Sequence, residues 1–182
     1  MSLGLSSINT HRLSLLPLSE VDAELILNLL NTKGWLQFIG DRNIKSLEDA
    51  LVYIRKIRLD SSINYWAARE KESGLAIGVF TFIKRSYLNH HDIGFGLLPE
   101  YMNKGYALEG ARALVDELIR NNKHEQILAT VLTENDRSIK LLQKLGLAFE
   151  RKIELEGKMV DLYKMNLNTY TVEAQRRGEM QV

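Results

Sequence analysis

The chain has 182 residues, enough for one globular domain with a sizeable core, and its 45% hydrophobic and 26% charged residues are too apolar a mixture for a disordered chain. Its 24 basic and 23 acidic residues nearly cancel, which disfavours a nucleic-acid-binding protein. The lack of cysteine excludes disulfides, thiolate metal sites and cysteine nucleophiles.

No stretch has the pattern of a signal peptide, and no apolar run approaches the roughly 20 residues that a membrane helix needs. We therefore expect a cytoplasmic protein, monomeric or homodimeric, without membrane or direct nucleic-acid partners and without a metal. We assign residues 1–9 to an N-terminal extension, with Met1 to Leu3 as a candidate cloning remnant. We expect residues 10–167 to form the single domain and residues 168–182 to form a polar C-terminal tail.

In its first half the sequence predicts a strand, two helices and a hairpin. The Ser-x-x-Asp patterns that begin at Ser19 and Ser46 are typical of helix N-termini. An aromatic-rich connection, 34–41, lies between the two helices. The strands predicted here are 12–18, 63–68 and 76–84.

The second half adds the strongest helix and a closing hairpin. Residues 103–120 place apolar side chains at helical spacing, and Gly146 is a typical C-cap for a helix over 135–145. The strands predicted here are 91–98, 126–132, 149–156 and 159–167. This order predicts an α/β domain with a mixed, mostly antiparallel sheet of about six or seven strands, flanked by about four helices.

The turn between the strand 91–98 and the strongest helix is suited to phosphate. The N–H groups and dipole of a helix N-terminus attract anions. Gly105 lets a bulky anion approach the backbone, and Lys104 adds positive charge. The P-loop pattern is absent, and Pro99 stands where the third glycine of a dinucleotide fingerprint would be.

This turn resembles the pyrophosphate-binding motif of the GNAT superfamily of acetyltransferases, Gln/Arg-x-x-Gly-x-Gly/Ala, with Met102 at its first position. Within that superfamily it is similar to the ribosomal-protein N-acetyltransferases. The segments that carry the resemblance are Pro99-Glu100-Tyr101, 102–107, Glu109, the Asn-x-x-Ser-x-x-Leu block 135–146, Ile39-Gly40-Asp41 and the opening Thr10-His11-Arg12-Leu13. It covers residues 10 to about 167 in the family's order.

The resemblance implies a GNAT-type acyl-CoA N-acyltransferase fold. It also implies an enzyme that transfers acetyl from acetyl-CoA, as co-substrate, to a primary amine of a small molecule or a protein N-terminus. The sheet would open beside the strand 91–98, and the pantetheine arm would lie in that cleft. The residues implied to bind the cofactor are Gly96, Leu97, Leu98, Met102, Asn103, Lys104, Gly105, Tyr106, Ala107, Asn135 and Ser138.

Catalytic roles are implied for two of these residues. Asn135 would help to order the active site, although Asn is also a common helix N-cap. Ser138 would protonate the departing thiolate, because Leu142 stands where other branches of the family place a tyrosine acid. The alternative for Ser138 is an ordinary polar residue of the first turn.

No general base stands out in the sequence. Some relatives carry a glutamate at the position of Thr130, and Asp92, His90 and His91 are candidates that could act through a water or be plain surface residues. Deprotonating a lysine-like amine at pH 7 costs about 4–5 kcal/mol, whereas a peptide α-amine costs about 1 kcal/mol. A site without an obvious base therefore favours an α-amine.

Several aromatic residues could line the acceptor pocket, although strand spacing favours a core position for Trp66 and Phe82. Glu109 is expected to be structural, near the cofactor helix. The aromatic candidates are Trp35, Phe38, Trp66, Phe82 and Tyr87.

Two rival functions stay open. One is a non-catalytic acyl-CoA-binding module of the same fold, and the other is an interaction protein whose Gly105 turn binds nothing. If the chain is an acetyltransferase, its amine acceptor could be a ribosomal-protein or peptide N-terminus, a polyamine, an aminoglycoside or an amino acid.

Overall fold

The computed structural model describes residues 6–121 and 123–169, which are built around an eight-stranded sheet. Its strands are β1 (Ile8–Asn9), β2 (Leu13–Pro17), β3 (Ile63–Glu70), β4 (Ala76–Ile83), β5 (Asp92–Leu97), β6 (Gln126–Leu132), β7 (Ala148–Leu155) and β8 (Lys158–Asn166). Their order across the sheet is β1-β2-β3-β4-β5-β6-β8-β7, and β5 and β6 form its one parallel pair among the described residues.

The predicted mixed, mostly antiparallel α/β sheet is confirmed, but the predicted count of six or seven strands was wrong. The additional strand is β1, where Ile8 pairs with Leu15 and is buried. Two residues are too few to produce an alternating pattern, so the sequence could not reveal it. Part of the segment assigned to an N-terminal extension thus belongs to the sheet. Met1 to Leu3 and most of the predicted tail, 170–182, lie outside the described residues.

Five α-helices lie within the described ranges, against about four predicted, and residues 167–169 are helical as well. The helices are α1 (Ala23–Leu30), α2 (Lys33–Phe38), α3 (Leu47–Leu59), α4 (Tyr106–Asn121) and α5 (Asp136–Leu145). The unpredicted helix is α2, in the segment interpreted as a connection. Thr32 caps it by accepting a hydrogen bond from the Trp35 amide at 3.3 Å.

The predicted helix ends are confirmed where side chains cap them. The Asp22 carboxylate accepts from the Ser19 amide at 2.9 Å, and the Ser46 hydroxyl accepts from the Asp49 amide at 3.1 Å. Gly146 ends α5 with φ at 102°, a left-handed conformation that favours glycine.

The helices form two layers, one on each face of the sheet. One layer is α1 to α3, which buries Ile26, Leu29 and Ile54 against Tyr65 and Val79 of the sheet. The other layer is α4 and α5, and the residues in its core include Leu114, Leu118, Leu142, Phe80 and Phe82. Successive strand residues point to opposite faces, so we refer below to the α1–α3 face and the α4–α5 face.

Candidate active site

The turn that leads into α4 exposes its backbone. Asn103 and Gly105 have positive φ values of 60° and 84°, so the chain is not yet helical and the helix begins at Tyr106 rather than at 103 as predicted. Residues 103–105 are exposed. The Glu109 amide donates to Gly105 O at 3.0 Å, so the amides of the residues before Glu109 in the first turn have no intrahelical acceptor. The turn therefore presents donors and a positive helix end, as an anion site requires.

Two residues of the predicted motif contribute less to this turn. The Met102 amide donates to Pro99 O at 3.2 Å, and its side chain packs against the core. Tyr106 is buried, and its hydroxyl donates to the Glu70 carboxylate. Lys104 is exposed and holds its ammonium 5.2 Å from the centre of the Tyr101 ring, within reach of the turn.

The sheet opens beside β5. The parallel pair β5–β6 is in register at Asp92 and Leu128, where the Leu128 amide donates to His91 O at 2.9 Å. No further pairing of β5 with β6 occurs within the described residues, so the two strands diverge toward the α4 turn. A gap between neighbouring strands leaves backbone groups free for an extended ligand.

The register of β4 and β5 indicates which backbone groups face this gap. The Leu98 amide donates to Ile77 O at 2.9 Å, so alternate residues such as Gly96 direct their N–H and C=O groups toward β4. Phe95 and Leu97 direct theirs toward the gap. Among the residues predicted to bind the cofactor, Leu97 directs its backbone N–H and C=O groups toward a ligand in the gap. The backbone groups of Gly96 and the Leu98 amide instead form hydrogen bonds with β4.

Gly96 has a packing reason to lack a side chain. A Cβ there would lie 2.8 Å from the Trp35 ring, so the indole of α2 rests against this glycine on the α1–α3 face. Trp35 is buried. The sequence linked Gly96 to the approach of the pantetheine arm, but the structure shows that the indole occupies the space above it.

Asp92 lies at the point where the gap begins. It is 3% exposed and accepts hydrogen bonds from Arg85 Nε at 3.2 Å and from Thr130 Oγ1 at 3.1 Å. Burial raises the pKa of Asp92 above its ordinary value, although Arg85 and Thr130 act in the opposite direction. Thr130, the position at which the sequence resemblance implies a glutamate in some relatives, therefore contacts the one buried carboxylate among the base candidates.

His91 is separated from this carboxylate by the alternation of the strand. Its ring stacks on Phe82 at 4.6 Å and meets the His124 ring edge to face at 4.7 Å, on the α4–α5 face. Burial, aided by His124, Lys84 and His90, lowers the pKa of His91 to about 4. His91 is neutral at pH 7, a weak base, and faces away from Asp92.

Acid should destabilise the fold through His91. Between pH 6.5 and about 4 the unfolded chain holds a proton that folded His91 does not, so the unfolding free energy falls as the pH drops through this window. Solvent screening at this partly exposed ring limits the loss to about 1 kcal/mol, or about 2–4 °C in Tm. His91→Phe keeps the stacked ring and should show a smaller decrease in Tm on acidification, measured by calorimetry. An equal decrease would contradict this assignment.

Helix α5 brings Asn135 and Ser138 together. Asn135 Oδ1 accepts from the Ser138 amide at 3.2 Å, which confirms the N-cap role. The Asn135 backbone amide donates to Leu132 O at 2.9 Å, whereas its side-chain Nδ2 has no acceptor within hydrogen-bond distance among the described residues. Both side chains are partly exposed, whereas Leu142 is buried in the core.

The aromatic residues divide as the strand spacing indicated. Trp66 and Phe82 are core residues, confirmed by exposures of 3% and 0%. Trp35 is buried beside the gap, Phe38 is partly exposed and Tyr87 is exposed.

Two further findings concern metal ions and membranes. No group of His, Asp or Glu residues able to hold a metal ion occurs among the described residues, and no described helix has the length and apolarity to cross a membrane.

A sheet that opens beside a helix N-terminus can hold an extended ligand that carries phosphate. The chain belongs to the GNAT acetyltransferase family: the family described as "Acetyltransferase (GNAT) domain" matches residues 12–148. The chain is therefore an acyltransferase, and the resemblance found in the sequence is confirmed.

Comparison with individual proteins agrees. The chain is 27% identical over 143 residues to an uncharacterized N-acetyltransferase, YnaD, of Bacillus subtilis, covering 79% of this chain and 83% of that protein. RimL, a ribosomal L7/L12 alpha-N-protein acetyltransferase solved with coenzyme A, superposes with a TM-score of 0.77 at 18% identity over 88% of this chain and 98% of its own. A spermidine N-acetyltransferase SpeG chimera from Vibrio cholerae superposes with a TM-score of 0.74 at 18% identity, with coverages of 88% and 98%. These two structures support the fold.

Proposed function

We propose that this enzyme transfers the acetyl group of acetyl-CoA to a primary amine by direct attack. The observation that carries the proposal is the alignment of two features: the gap between β5 and β6, and the exposed turn before α4 at the end of β5. A coenzyme A molecule could then place its diphosphate on the turn and its pantetheine arm in the gap.

The cofactor would be held mainly by the backbone. The amides after Asn103 would bind the diphosphate, and Lys104 would add charge. The free N–H and C=O groups of Leu97 would pair with the pantetheine amides as an added strand does. Asn135 could donate its amide N–H to the same arm.

In the chemical step a neutral amine would attack the thioester carbonyl. The new C–N bond forms, the C–S bond breaks and the thiolate of coenzyme A leaves. The Phe95 N–H, which faces the gap two residues nearer Asp92, would stabilise the developing oxyanion. Before the attack, Asp92 would take one proton from the bound ammonium through a water. The proton that the nitrogen loses after the attack would pass through the Ser138 hydroxyl to the thiolate, so that Ser138 ends with its own proton restored. A raised pKa suits a carboxylate that acts as a general base, because its pKa then lies closer to the pH at which the enzyme works.

A peptide α-amine is the favoured acceptor. It needs only about 1 kcal/mol for deprotonation at pH 7, against about 4–5 kcal/mol for a lysine side chain. The structural neighbours act on both a protein α-amine and a polyamine, as their names state, so both kinds of acceptor belong in the test.

The test is release of free coenzyme A thiol from acetyl-CoA with four acceptors: a peptide with only its α-amine free, a peptide with only a lysine amine free, spermidine and an aminoglycoside. We expect turnover with the first. Turnover only with another acceptor would move the assignment to that amine. Binding of coenzyme A without turnover on any amine would favour the alternative below.

The alternative is an acyl-CoA-binding module without catalysis. Leu142 supports it, because a buried leucine replaces the tyrosine acid of other branches. For a non-catalytic module we expect coenzyme A to raise the Tm, and thiol to be released from acetyl-CoA no faster than in buffer without the protein.

A further inference from the structure

The turn before α4 is held from outside by one side chain. Arg12, the residue before β2, donates from Nη1 to Lys104 O at 2.9 Å. Its guanidinium carbon lies 4.4 Å from the centre of the Tyr106 ring. A Cβ on Gly105 would lie 3.2 Å from Arg12 Nη2. Arg12 thus contacts the carbonyl, the ring and the glycine of three consecutive residues.

The bond to Lys104 O fixes a direction as well as a distance. The Lys104 C=O and the Gly105 N–H belong to one planar trans peptide unit, so they point in opposite directions. Because Arg12 holds the oxygen, the Gly105 N–H points away from Arg12. The next peptide unit, Gly105 C=O and Tyr106 N–H, is fixed by the helix, since Gly105 O accepts from the Glu109 amide. The direction of the Gly105 N–H therefore depends on Arg12, and that of the Tyr106 N–H depends on α4.

Glu109 holds Arg12 in this position. Its Oε2 accepts from Arg12 Nε at 2.7 Å, and its Oε1 accepts from the Arg12 amide at 2.8 Å and from Thr10 Oγ1 at 2.5 Å. Burial acts to raise the pKa of Glu109, but the hydrogen bonds from Thr10 and Arg12 outweigh it and the pKa lies below its ordinary value. A charged carboxylate near the turn would repel a diphosphate, and Arg12 compensates that charge.

We propose that Arg12 is a positioning residue for coenzyme A: it aims the Gly105 N–H at the diphosphate and neutralises Glu109, which in turn holds Arg12. This inference rests on the function proposed above. The sequence pattern had placed Thr10 and Arg12 in a family-like opening and Glu109 in a structural role. The structure joins all three into one network at the cofactor turn.

Arg12→Lys is the sharpest variant. Lysine keeps the charge but lacks the planar fork, so it cannot bond to Glu109 and Lys104 O together. We expect the Kd for coenzyme A, measured by calorimetry at about 15 °C, to rise about tenfold, and the KM for acetyl-CoA to rise with kcat within about twofold. Arg12→Gln should weaken binding further.

Arg55→Gln is the matched control. Arg55 also makes two bonds to one carboxylate, from Nε at 3.1 Å and Nη2 at 2.9 Å to Glu20, but on the exposed side of α3. The Kd of the Arg55→Gln variant for coenzyme A should stay within about twofold of the wild-type value. If Arg12→Gln does not fold, Thr10→Val removes one bond from Glu109 and should give a smaller increase in Kd.

A purely structural role makes a different prediction. It lowers the Tm of the ligand-free Arg12 variants and leaves the Kd of the folded protein unchanged, and that result would overturn the inference. Wild-type protein that binds no coenzyme A would overturn the proposed function and this inference with it. Wild-type binding with an unchanged Kd in Arg12→Lys would overturn this inference alone.

Discussion

Asp92→Asn should lower kcat about tenfold at pH 7, because only about one α-amine in ten is neutral there without a base, and leave the KM for acetyl-CoA nearly unchanged. The substitution keeps the volume of the side chain and its hydrogen bond with Thr130, and it removes the charge that would accept the proton. Asp92 is buried where β5 and β6 separate, next to the path proposed for the thioester.

The pH dependence separates a base from a structural carboxylate. As the pH rises from about 7 to about 9, an α-amine with a pKa near 8 becomes neutral in solution and needs the base less. The ratio of wild-type kcat to that of Asp92→Asn should therefore shrink over this range, as steady-state kinetics with a peptide acceptor would measure. A ratio that stays constant with pH would assign Asp92 to structure.

Asp22→Asn is the matched control, because Asp22 is also 3% exposed and also pairs with an arginine, Arg69. It should cost a similar amount of stability, visible as a lower Tm, and leave kcat within about twofold of wild type. If both variants lost activity in proportion to Tm, a general destabilisation would explain the result, and Asp92 would have no chemical role.

Much of the fold could be predicted from local patterns. Alternation, helical spacing and caps such as Ser46 and Gly146 indicate the seven longer strands and four of the helices. The exceptions are short. Two-residue β1 has no pattern of its own and is defined by its pairing with β2. Six-residue α2 contains Gly34, and its Thr32 cap was the one signal that could have revealed it.

The candidate site was predictable in position and not in geometry. The motif located the turn at Gly105, but the helix begins later than predicted because Asn103 and Gly105 adopt positive φ values. Asp92 and His91 are neighbours in sequence, and strand alternation alone separates them onto opposite faces. Asp92 accepts hydrogen bonds from Arg85 and from Thr130 of another strand, and no local pattern reveals these contacts.

The network around the turn lies still further from sequence reasoning. Arg12 and Glu109 are 97 positions apart, and their contact arises from the packing of α4 against the start of the sheet. A glutamate in the first turn of a helix has an ordinary explanation in the helix dipole, so nothing local indicated a partner for Glu109. Only the tertiary arrangement shows that the turn depends on the N-terminal segment.

Gly105→Glu should raise the Kd for coenzyme A at least tenfold, about 1.4 kcal/mol. Three effects act together. The residue has φ at 84°, which a side chain tolerates poorly, and a Cβ would crowd Arg12. The new carboxylate would also lie beside the diphosphate and repel it. Calorimetric titration with coenzyme A measures the change.

Gly157→Glu provides the control for backbone strain. Gly157 has φ at 75°, lies in the turn between β7 and β8, and has open space where a Cβ would be. It should lose a similar amount of stability from the positive φ and keep its affinity for coenzyme A. A decrease in affinity that appears in Gly105→Glu and not in Gly157→Glu is then specific to the turn before α4.

Ionic strength divides the remaining effect of Gly105→Glu into charge and shape. Repulsion between an exposed carboxylate and a diphosphate is screened by salt, because the Debye length falls from about 10 Å at 0.1 M to about 3 Å at 1 M. The difference in Kd from wild type should therefore narrow at high salt without vanishing, since the crowding of Arg12 persists. Gly105→Ala, which adds crowding without charge, should show a smaller and salt-independent increase. An unchanged Kd in both variants would mean that the diphosphate does not bind at this turn.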